Sequence, residues 1–342
     1  MMLKIVVLIH MTVQYPLRQF WEQFRKEIAK PNDQLEVQVN RVHYSSFLPN
    51  QFGKYYQNPG IPVIICGLLE DLNWDLTYLC QELGDRVFPI RQYGQARYQQ
   101  DKRQWQDWGS SVETHSMKFS DYVDKLKTGE ARANDLYLAR CSLKGTAISE
   151  NRILRQAEAW FDLKFPVTYL NLWLGSGGHV SCLHYDTMDG ILMQIYGEKE
   201  ILLFSPSQTY NLYPVPIYKQ FIYGLEMRPV YSQVYPKQPD FQAFPKLRKA
   251  LLSCQKIVLK PGEILFLPAG WWHEITSLGE GTVCSINRFW NVLPVQRALC
   301  SWNKWRVHLG SLLAIPHIAK HFLSAMGREN PGEEIRRSIQ KL

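Results

Sequence analysis

Short apolar runs separated by glycine and proline dominate the second half of this 342-residue chain. Between residues 168 and 290 the runs have the length of β-strands, and turn-forming residues stand between most of them. The predicted strands are 168–174, 179–185, 191–195, 199–204, 256–259, 264–267 and 282–290. Many short strands with this punctuation favour a sandwich or a jelly roll.

The pattern is helical on both sides of this stretch. After an apolar run at 3–13, interpreted as a strand, Phe20, Trp21 and Phe24 have helical spacing. Further helices are predicted at about 74–83 and 120–127, with strands at about 62–67, 86–91 and 136–139. The polar segment 95–114, rich in Gln, Arg and Asp, is expected to be an exposed loop. After the last strand we expect helices at 295–307 and 309–326, with Pro316 bending the second.

These elements predict a mainly β protein with flanking helices. We expect an N-terminal strand and helix segment at 1–45, one domain at 46–295 and a C-terminal helical extension at 296–342. The domain would have its jelly-roll core at about 168–290. It would be interrupted at about 205–250 by an insertion dense in Pro and Tyr, which is too long for a hairpin and is a candidate to line the mouth of a site.

Composition narrows the class of protein only modestly. Hydrophobic residues make up 46% and charged residues 20%, as in ordinary globular proteins. The formal charge of +8 is spread along the chain, which disfavours nucleic-acid binding, and no run is long enough for a membrane span. Seven cysteines without CxxC spacing suggest a reducing compartment, and we expect a cytoplasmic protein.

The candidate chemistry lies inside the predicted strands. His184 and Asp186 are two residues apart, so in an extended strand both side chains point to one face. Together with His273 they would form a two-histidine, one-carboxylate triad, which binds non-haem Fe(II) and leaves coordination positions open for a co-substrate and dioxygen. Each residue alone has a simpler explanation, such as a surface pair or a core histidine. Their joint placement in the predicted jelly roll favours a metal centre.

Six motifs in the chain resemble the JmjC family of cupin-like Fe(II)/2-oxoglutarate oxygenases, over roughly residues 50–295. The motifs are PVIICG at 62–67, LYLA at 136–139, HYD at 184–186, QIYGEK at 194–199, PGEILFLPAGWWH at 261–273 and INRFW at 286–290. Within that family the chain looks most similar to the small protein hydroxylases and to bacterial cupin-like relatives. The resemblance implies a double-stranded β-helix, which is the cupin-like jelly roll.

The resemblance also implies residue roles. His184, Asp186 and His273 match the Fe(II) ligands, and Lys199 matches the lysine that pairs with the distal carboxylate of 2-oxoglutarate. Four further residues match positions beside that co-substrate, although core packing alone would also explain them: Tyr137, Trp173, Ser181 and Asn287. One departure is Gly190, which stands where several hydroxylases have an Asn near the co-substrate.

The implied activity is a dioxygenase reaction that hydroxylates a protein or peptide side chain and releases succinate and carbon dioxide. Lysine demethylation and a non-catalytic, metal-binding interaction module remain alternatives. A zinc hydrolase fits less well, because Lys199 would have no role and no neighbouring Glu is placed as a general base. The C-terminal helices would be a homodimer interface, as in related hydroxylases.

Overall fold

The structure, a computed structural model, describes residues 39–47, 51–72, 74–105 and 112–326. The strand predicted at 3–13 and the helical pattern of Phe20, Trp21 and Phe24 lie outside these residues. The strands are β1 (Asn40–His43), β2 (Val63–Cys66), β3 (Val87–Gln92), β4 (Thr114–Lys118), β5 (Leu136–Ser142), β6 (Asn171–Ser176), β7 (Val180–Tyr185), β8 (Asp189–Tyr196), β9 (Lys199–Phe204), β10 (Gln255–Leu259), β11 (Ile264–Leu267), β12 (Trp272–Ser277) and β13 (Thr282–Trp290).

Helices precede, interrupt and follow the strand-rich stretch. The α-helices are α1 (Leu76–Leu83), α2 (Phe119–Lys127), α3 (Glu130–Ala133), α4 (Arg152–Phe161), α5 (Lys219–Tyr223), α6 (Leu247–Leu252), α7 (Val295–Cys300), α8 (Trp302–Leu313) and α9 (Ile315–Met326). Short 3-10 or π-helical turns lie at Tyr44–Ser46, Gly53–Gln57, Gln95–Gln99, Lys102–Gln104, Ala147–Glu150, Pro206–Asn211 and Gly224–Glu226. Within the described residues, no helix is long and apolar enough to cross a bilayer.

Two sheets face each other to form the predicted jelly roll. One has nine strands in the order β1-β2-β11-β8-β13-β6-β5-β3-β4, and the other has four in the order β10-β9-β12-β7. From β6 to β13 the chain passes repeatedly between the sheets, which is the double-stranded β-helix expected from the sequence. The predicted fold class is therefore confirmed.

Alternating side chains divide each sheet into two faces. In β9, Leu202 and Phe204 pack with the segment that connects β9 to β10, whereas Ile201 and Leu203 pack into the space between the sheets. The opposite face of the nine-stranded sheet is covered by α1, α2 and α4, whose apolar side chains join one large core. Because alternate residues of a strand share a face, Lys199 joins Ile201 and Leu203 on the face directed between the sheets.

Three local predictions were wrong. The segment predicted as an exposed loop contains 3-10 turns in which Lys102 is 1% and Trp105 is 7% exposed. The two predicted C-terminal helices have other bounds. The first is divided at Ser301, which caps α8, and the second is interrupted at Ala314, two residues before Pro316. In addition, the strand predictions missed β12, although its residue His273 had been identified as a ligand.

Candidate metal and co-substrate site

Three potential metal ligands meet at one end of the four-stranded sheet. His184 and His273 lie directly opposite each other in the β7–β12 pair, and Asp186 follows the last residue of β7. Ligand atoms of the three side chains all lie within 4.8 Å of one another, and His273 Nε2 is 3.7 Å from Asp186 Oδ2. This donor set and spacing fit a divalent metal ion with histidine and carboxylate ligands.

Hydrogen bonds orient both imidazole rings toward the shared point. The Nδ1 atom of His184 is 2.8 Å from the carbonyl oxygen of Cys182, and Nδ1 of His273 is 3.1 Å from that of Trp271. A carbonyl accepts only from a protonated Nδ1, so Nε2 of each ring is left as the lone-pair ligand atom. Burial, followed by the neighbouring His184, lowers the pKa of His273 to about 4, which keeps this imidazole neutral and able to ligate.

A buried carboxylate holds the loops that carry the ligands. Asp189 is fully buried, accepts a hydrogen bond of 2.9 Å from the backbone N–H of Ala269, and forms a bidentate ion pair with Arg297. Gly270 donates its N–H to the carbonyl oxygen of Asp186 at 2.8 Å. The segment after β7 and the segment before β12 are thereby tied together beside the triad.

Lys199 supplies a buried cation to the same interior. Its side chain is 2% exposed, and burial lowers its pKa from 10.5 to about 8. Its Nζ donates to the hydroxyl of Tyr137 at 3.5 Å, and among the described residues it has no carboxylate within salt-bridge distance. An ammonium group so buried is stabilised by an anionic ligand, because burial disfavours a charge that has no partner.

The ring of Tyr137 is held in place from several sides. It stacks on His179 with ring centroids 3.6 Å apart and an interplanar angle of 13°. His179 Nδ1 is 2.8 Å from Asp135 Oδ1, and Tyr98 donates its hydroxyl to Asp135 Oδ2 at 2.8 Å. A Cβ on Gly175 would lie 2.3 Å from the Tyr137 ring, so only glycine leaves room for it. This packing fixes the hydroxyl that faces Lys199.

The remaining predicted residues reach the interior from three strands. Trp173 lies on β6 and its Nε1 is buried with no hydrogen-bond partner among the described residues, while Asn287 on β13 accepts from Asn171 at 3.4 Å. Ser181 lies opposite Ile275 beyond a shift in the β7–β12 register. Such an irregularity changes the face to which a side chain points, so Ser181 and His184 both reach the interior despite their odd spacing.

All eight residues predicted from the sequence line one cavity of about 190 Å³ between the sheets. They are Tyr137, Trp173, Ser181, His184, Asp186, Lys199, His273 and Asn287. Residues separated by up to 150 positions in the chain are thus brought together, with the triad and Lys199 in the same cavity. The arrangement can hold a metal ion and a small anion side by side.

The ring of Phe289 occupies the space beside Gly190 in the cavity wall. A Cβ at Gly190 would lie 3.0 Å from Cε1 and 3.1 Å from Cδ1 of the Phe289 ring, which pairs beside it on β13. An aromatic ring therefore occupies space into which an Asn side chain at position 190 would extend. The cavity wall is apolar at this point.

Sequence reasoning missed the cationic and aromatic side chains that also line the cavity. Arg91, Arg140, Arg228 and Tyr231 come from β3, β5 and the segment between β9 and β10. The Tyr231 ring stacks on His184 with centroids 5.3 Å apart. The Tyr-rich composition of the 205–250 segment was the available signal, because it marked that segment as facing a site.

The fold and the site together define a jelly-roll protein with a two-histidine, one-carboxylate group and a buried lysine in its interior. The cupin-like domain family matches residues 49–295 of the chain, so the chain belongs to that family. Similar proteins include relatives whose names refer to JmjC domains or to lysine demethylases. The resemblance to the JmjC family of cupin-like oxygenases is therefore confirmed.

Similarity to individual relatives is moderate. Lysine-specific demethylase 8 of Danio rerio is 29% identical over 260 residues, which cover 70% of this chain and 56% of the relative. HSPB1-associated protein 1 of Bos taurus is 35% identical over 185 residues, covering 53% and 34% respectively. Lysine-specific demethylase JMJ31 of Arabidopsis thaliana is 28% identical over 188 residues, covering 53% and 32%. The chain matches about half or less of the length of these relatives.

Proposed function

We propose that this protein is an Fe(II)- and 2-oxoglutarate-dependent dioxygenase that hydroxylates a protein or peptide side chain. The observation that carries the proposal is the buried ammonium group of Lys199, which shares a cavity with a two-histidine, one-carboxylate triad. Neither feature alone would identify the chemistry. Together they provide separate sites for a metal ion and for the far end of a dicarboxylic co-substrate.

His184, Asp186 and His273 are the residues that would hold Fe(II). With 2-oxoglutarate and dioxygen, the bound metal supplies oxidative chemistry in which one oxygen atom enters the substrate as hydroxyl and the other enters succinate, with loss of carbon dioxide. The Nδ1 hydrogen bonds of both rings leave their Nε2 atoms directed at the shared point, and the Asp186 carboxylate lies beside them. These residues bind and orient, and the reaction needs no side-chain acid or base.

Lys199 and Tyr137 would bind the distal carboxylate of 2-oxoglutarate. An ammonium and a hydroxyl 3.5 Å apart offer two donors to one carboxylate, and the stacked His179 prevents the tyrosine from turning away. The buried Nε1 of Trp173 offers a further donor that has no partner among the described residues. Ser181 and Asn287, which line the same cavity, would complete the polar surface around the co-substrate.

A succinate-release assay tests the proposal directly. Purified protein is incubated with Fe(II), ascorbate and isotope-labelled 2-oxoglutarate, and labelled succinate is measured. We expect turnover in the wild type and its loss in His184→Ala and Lys199→Ala. His115→Ala and Lys256→Ala are matched controls, because both residues lie outside the cavity lining and should retain turnover. Equal succinate in the wild type and in the two cavity variants would refute the proposal.

Lysine demethylation is the second candidate, and the names of two of the relatives favour it. The two reactions share the cavity chemistry but differ in product, since hydroxylation of an N-methyl group releases formaldehyde. Formaldehyde from a methyl-lysine peptide would support demethylation. A stable mass increase of one oxygen atom on a peptide would support hydroxylation.

We also propose that the C-terminal helices form a homodimer interface. Several apolar side chains of α8 and α9 are exposed: Leu309, Leu312, Leu313, Ile315 and Ile318. The neighbouring α5, which contacts both helices, exposes Phe221 and Ile222. Apolar side chains gathered in this way are typical of a surface that is covered by a partner, and a second copy offers the same surface in a twofold arrangement.

A further inference from the structure

Four arginines line the cavity in addition to Lys199. One of them, Arg97, lies over the Trp105 ring, 4.0 Å from its centroid, and the other three come from separate segments. Arg91 is on β3, Arg140 is on β5 and Arg228 is in the segment between β9 and β10, and all three line the cavity. Asp186 is the one acidic side chain lining the cavity in the described part of the chain, and it belongs to the proposed metal site. The rest of the wall therefore has a strong positive charge.

The backbone directs these arginines toward the cavity. Arg91 lies directly opposite Tyr137 in the β3–β5 pair, and opposite residues of paired strands share a face. Arg140 has a φ of 55° and lies where the β5–β6 register shifts, so its side chain departs from the strand alternation. Arg228 precedes Val230 and Tyr231, which lie along β7 beside His184.

Arg91 and Arg140 lie close enough to Arg228 to affect its protonation. The pKa of Arg228 is lowered by its burial and further by the charges of Arg91 and Arg140. Arg91 and Arg140 form no ion pair with a carboxylate among the described residues. A carboxylate that enters the cavity would meet these cations in a partly buried wall, where attraction between opposite charges is screened less than at the surface.

The co-substrate does not account for the arginines in the cavity wall. Lys199 already matches one carboxylate of 2-oxoglutarate, and the metal ion would bind the keto acid end. The arginines must therefore act on the other molecule that enters the cavity. Guanidinium groups bind carboxylates through planar, paired hydrogen bonds, and the half-buried Arg91 and Arg228 gain more from such pairs than an exposed cation would.

We infer that the substrate is an acidic protein segment, in which Asp or Glu residues flank the side chain that is modified. The inference rests on the proposed dioxygenase function and specifies its substrate class. Three clustered arginines suit a few carboxylates near one residue, whereas nucleic acid would require a longer basic track along the surface. Lysine- and arginine-rich segments are repelled by the same wall.

Binding of synthetic peptides tests the charge requirement independently of turnover. Three fluorescein-labelled peptides of equal length carry Asp, Asn or Lys at alternate positions, and anisotropy is measured with Mn(II) and saturating 2-oxoglutarate. We expect the Asp peptide to bind at least about tenfold more tightly than the Asn peptide, and the Lys peptide to bind most weakly. The preference should weaken as salt is added.

Variants assign the preference to the cavity wall. Arg91→Gln and Arg228→Gln should each weaken binding of the Asp peptide by about threefold to tenfold. Arg140→Glu should shift the preference toward the Lys peptide. A misfolded variant would not bind the Lys peptide more tightly, so this result would not be explained by misfolding. Arg248→Gln removes the same charge from the exposed surface of α6, outside the cavity, and should change nothing.

Several results would overturn the inference. Equal binding of the three peptides, or an Asp preference that survives all three arginine variants, would remove the role of the wall. Much tighter binding of the Asp peptide when 2-oxoglutarate is left out would assign the arginines to the co-substrate. Equal competition by free aspartate would indicate a small acid, and tighter, arginine-dependent binding of oligothymidylate would indicate nucleic acid. Succinate release by the same wild-type sample reports separately on the proposed dioxygenase function.

Discussion

Replacing Lys199 with methionine separates the contribution of this residue to the stability of the fold from its role in binding the proposed co-substrate. Methionine keeps the length of the side chain but removes the buried ammonium group. Lowering the lysine pKa from 10.5 to about 8 corresponds to a cost of about 3 kcal/mol at pH 7. We therefore expect Lys199→Met to raise the free energy of unfolding of the ligand-free protein by about 1–3 kcal/mol, because part of the cost is relieved by local relaxation.

The pH dependence of this effect has a definite sign. Above about pH 8 the folded protein releases the Lys199 proton, whereas the unfolded chain holds it up to about pH 10.5. The unfolded state then binds more protons, so the wild type gains stability from this group as the pH rises through that window. The difference in free energy of unfolding between Lys199→Met and the wild type should therefore become smaller over the same pH range. Affinity for 2-oxoglutarate should fall above about pH 8, because the carboxylate binds the ammonium form.

Chemical denaturation near pH 7 and near pH 9.5, with and without 2-oxoglutarate, measures both effects. The ligand should stabilise the wild type and leave Lys199→Met unchanged. Lys256→Met is the control, since Lys256 is exposed and pairs with Glu200 on the outer face of the sheet. A ligand-free Lys199→Met protein that is less stable than the wild type and still binds 2-oxoglutarate normally would refute the reasoning.

Three further outcomes are expected. Gly175→Ala should lower the free energy of unfolding by about 1–3 kcal/mol and weaken 2-oxoglutarate binding in a calorimetric titration, because its Cβ would displace Tyr137. Gly281→Ala is the control, since the space around Gly281 is open, and it should change neither quantity. Asp186→Ala should weaken Mn(II) binding at least about a hundredfold, measured by the effect of bound Mn(II) on the relaxation of water protons. The same relaxation in the variant and the wild type would contradict this prediction. Leu312→Glu, at a side chain 60% exposed, should convert a dimer to a monomer in light scattering, and an unaltered mass would exclude this interface.

The strand periodicity gave the fold and much of the cavity. His184 and Asp186 could be paired from spacing alone, because an extended strand leaves little freedom in where alternate residues point. The role of Lys199 could be predicted only from the family resemblance, because the sequence at the start of a strand does not reveal whether a lysine faces water. Only the register of β9 against β12 and β10 determines that it faces inward.

The missed features have physical reasons. In β12 both His273 and Glu274 are 3% exposed, so the strand is buried on both faces and lacks the alternation of polar and apolar residues that marks a strand. Lys102 belongs to the polar segment 95–114, whose composition predicts an exposed loop. Its Nζ nevertheless donates to the carbonyl oxygen of Val234 at 2.7 Å and lies 4.0 Å from the centroid of the Tyr235 ring. The arginine cluster joins three segments that are distant in sequence, and no local sequence pattern predicts that they lie close together.

The ion pair between Asp189 and Arg297 links the C-terminal helices to the candidate metal site. The family match ends at residue 295, yet Arg297 neutralises the carboxylate that holds the ligand-bearing loops. A chain cut at that boundary would leave this carboxylate uncompensated, at a cost of about 3–5 kcal/mol. If the proposed dimer forms, a movement of α7 on assembly would be transmitted through these two side chains to the loops that carry the candidate metal ligands.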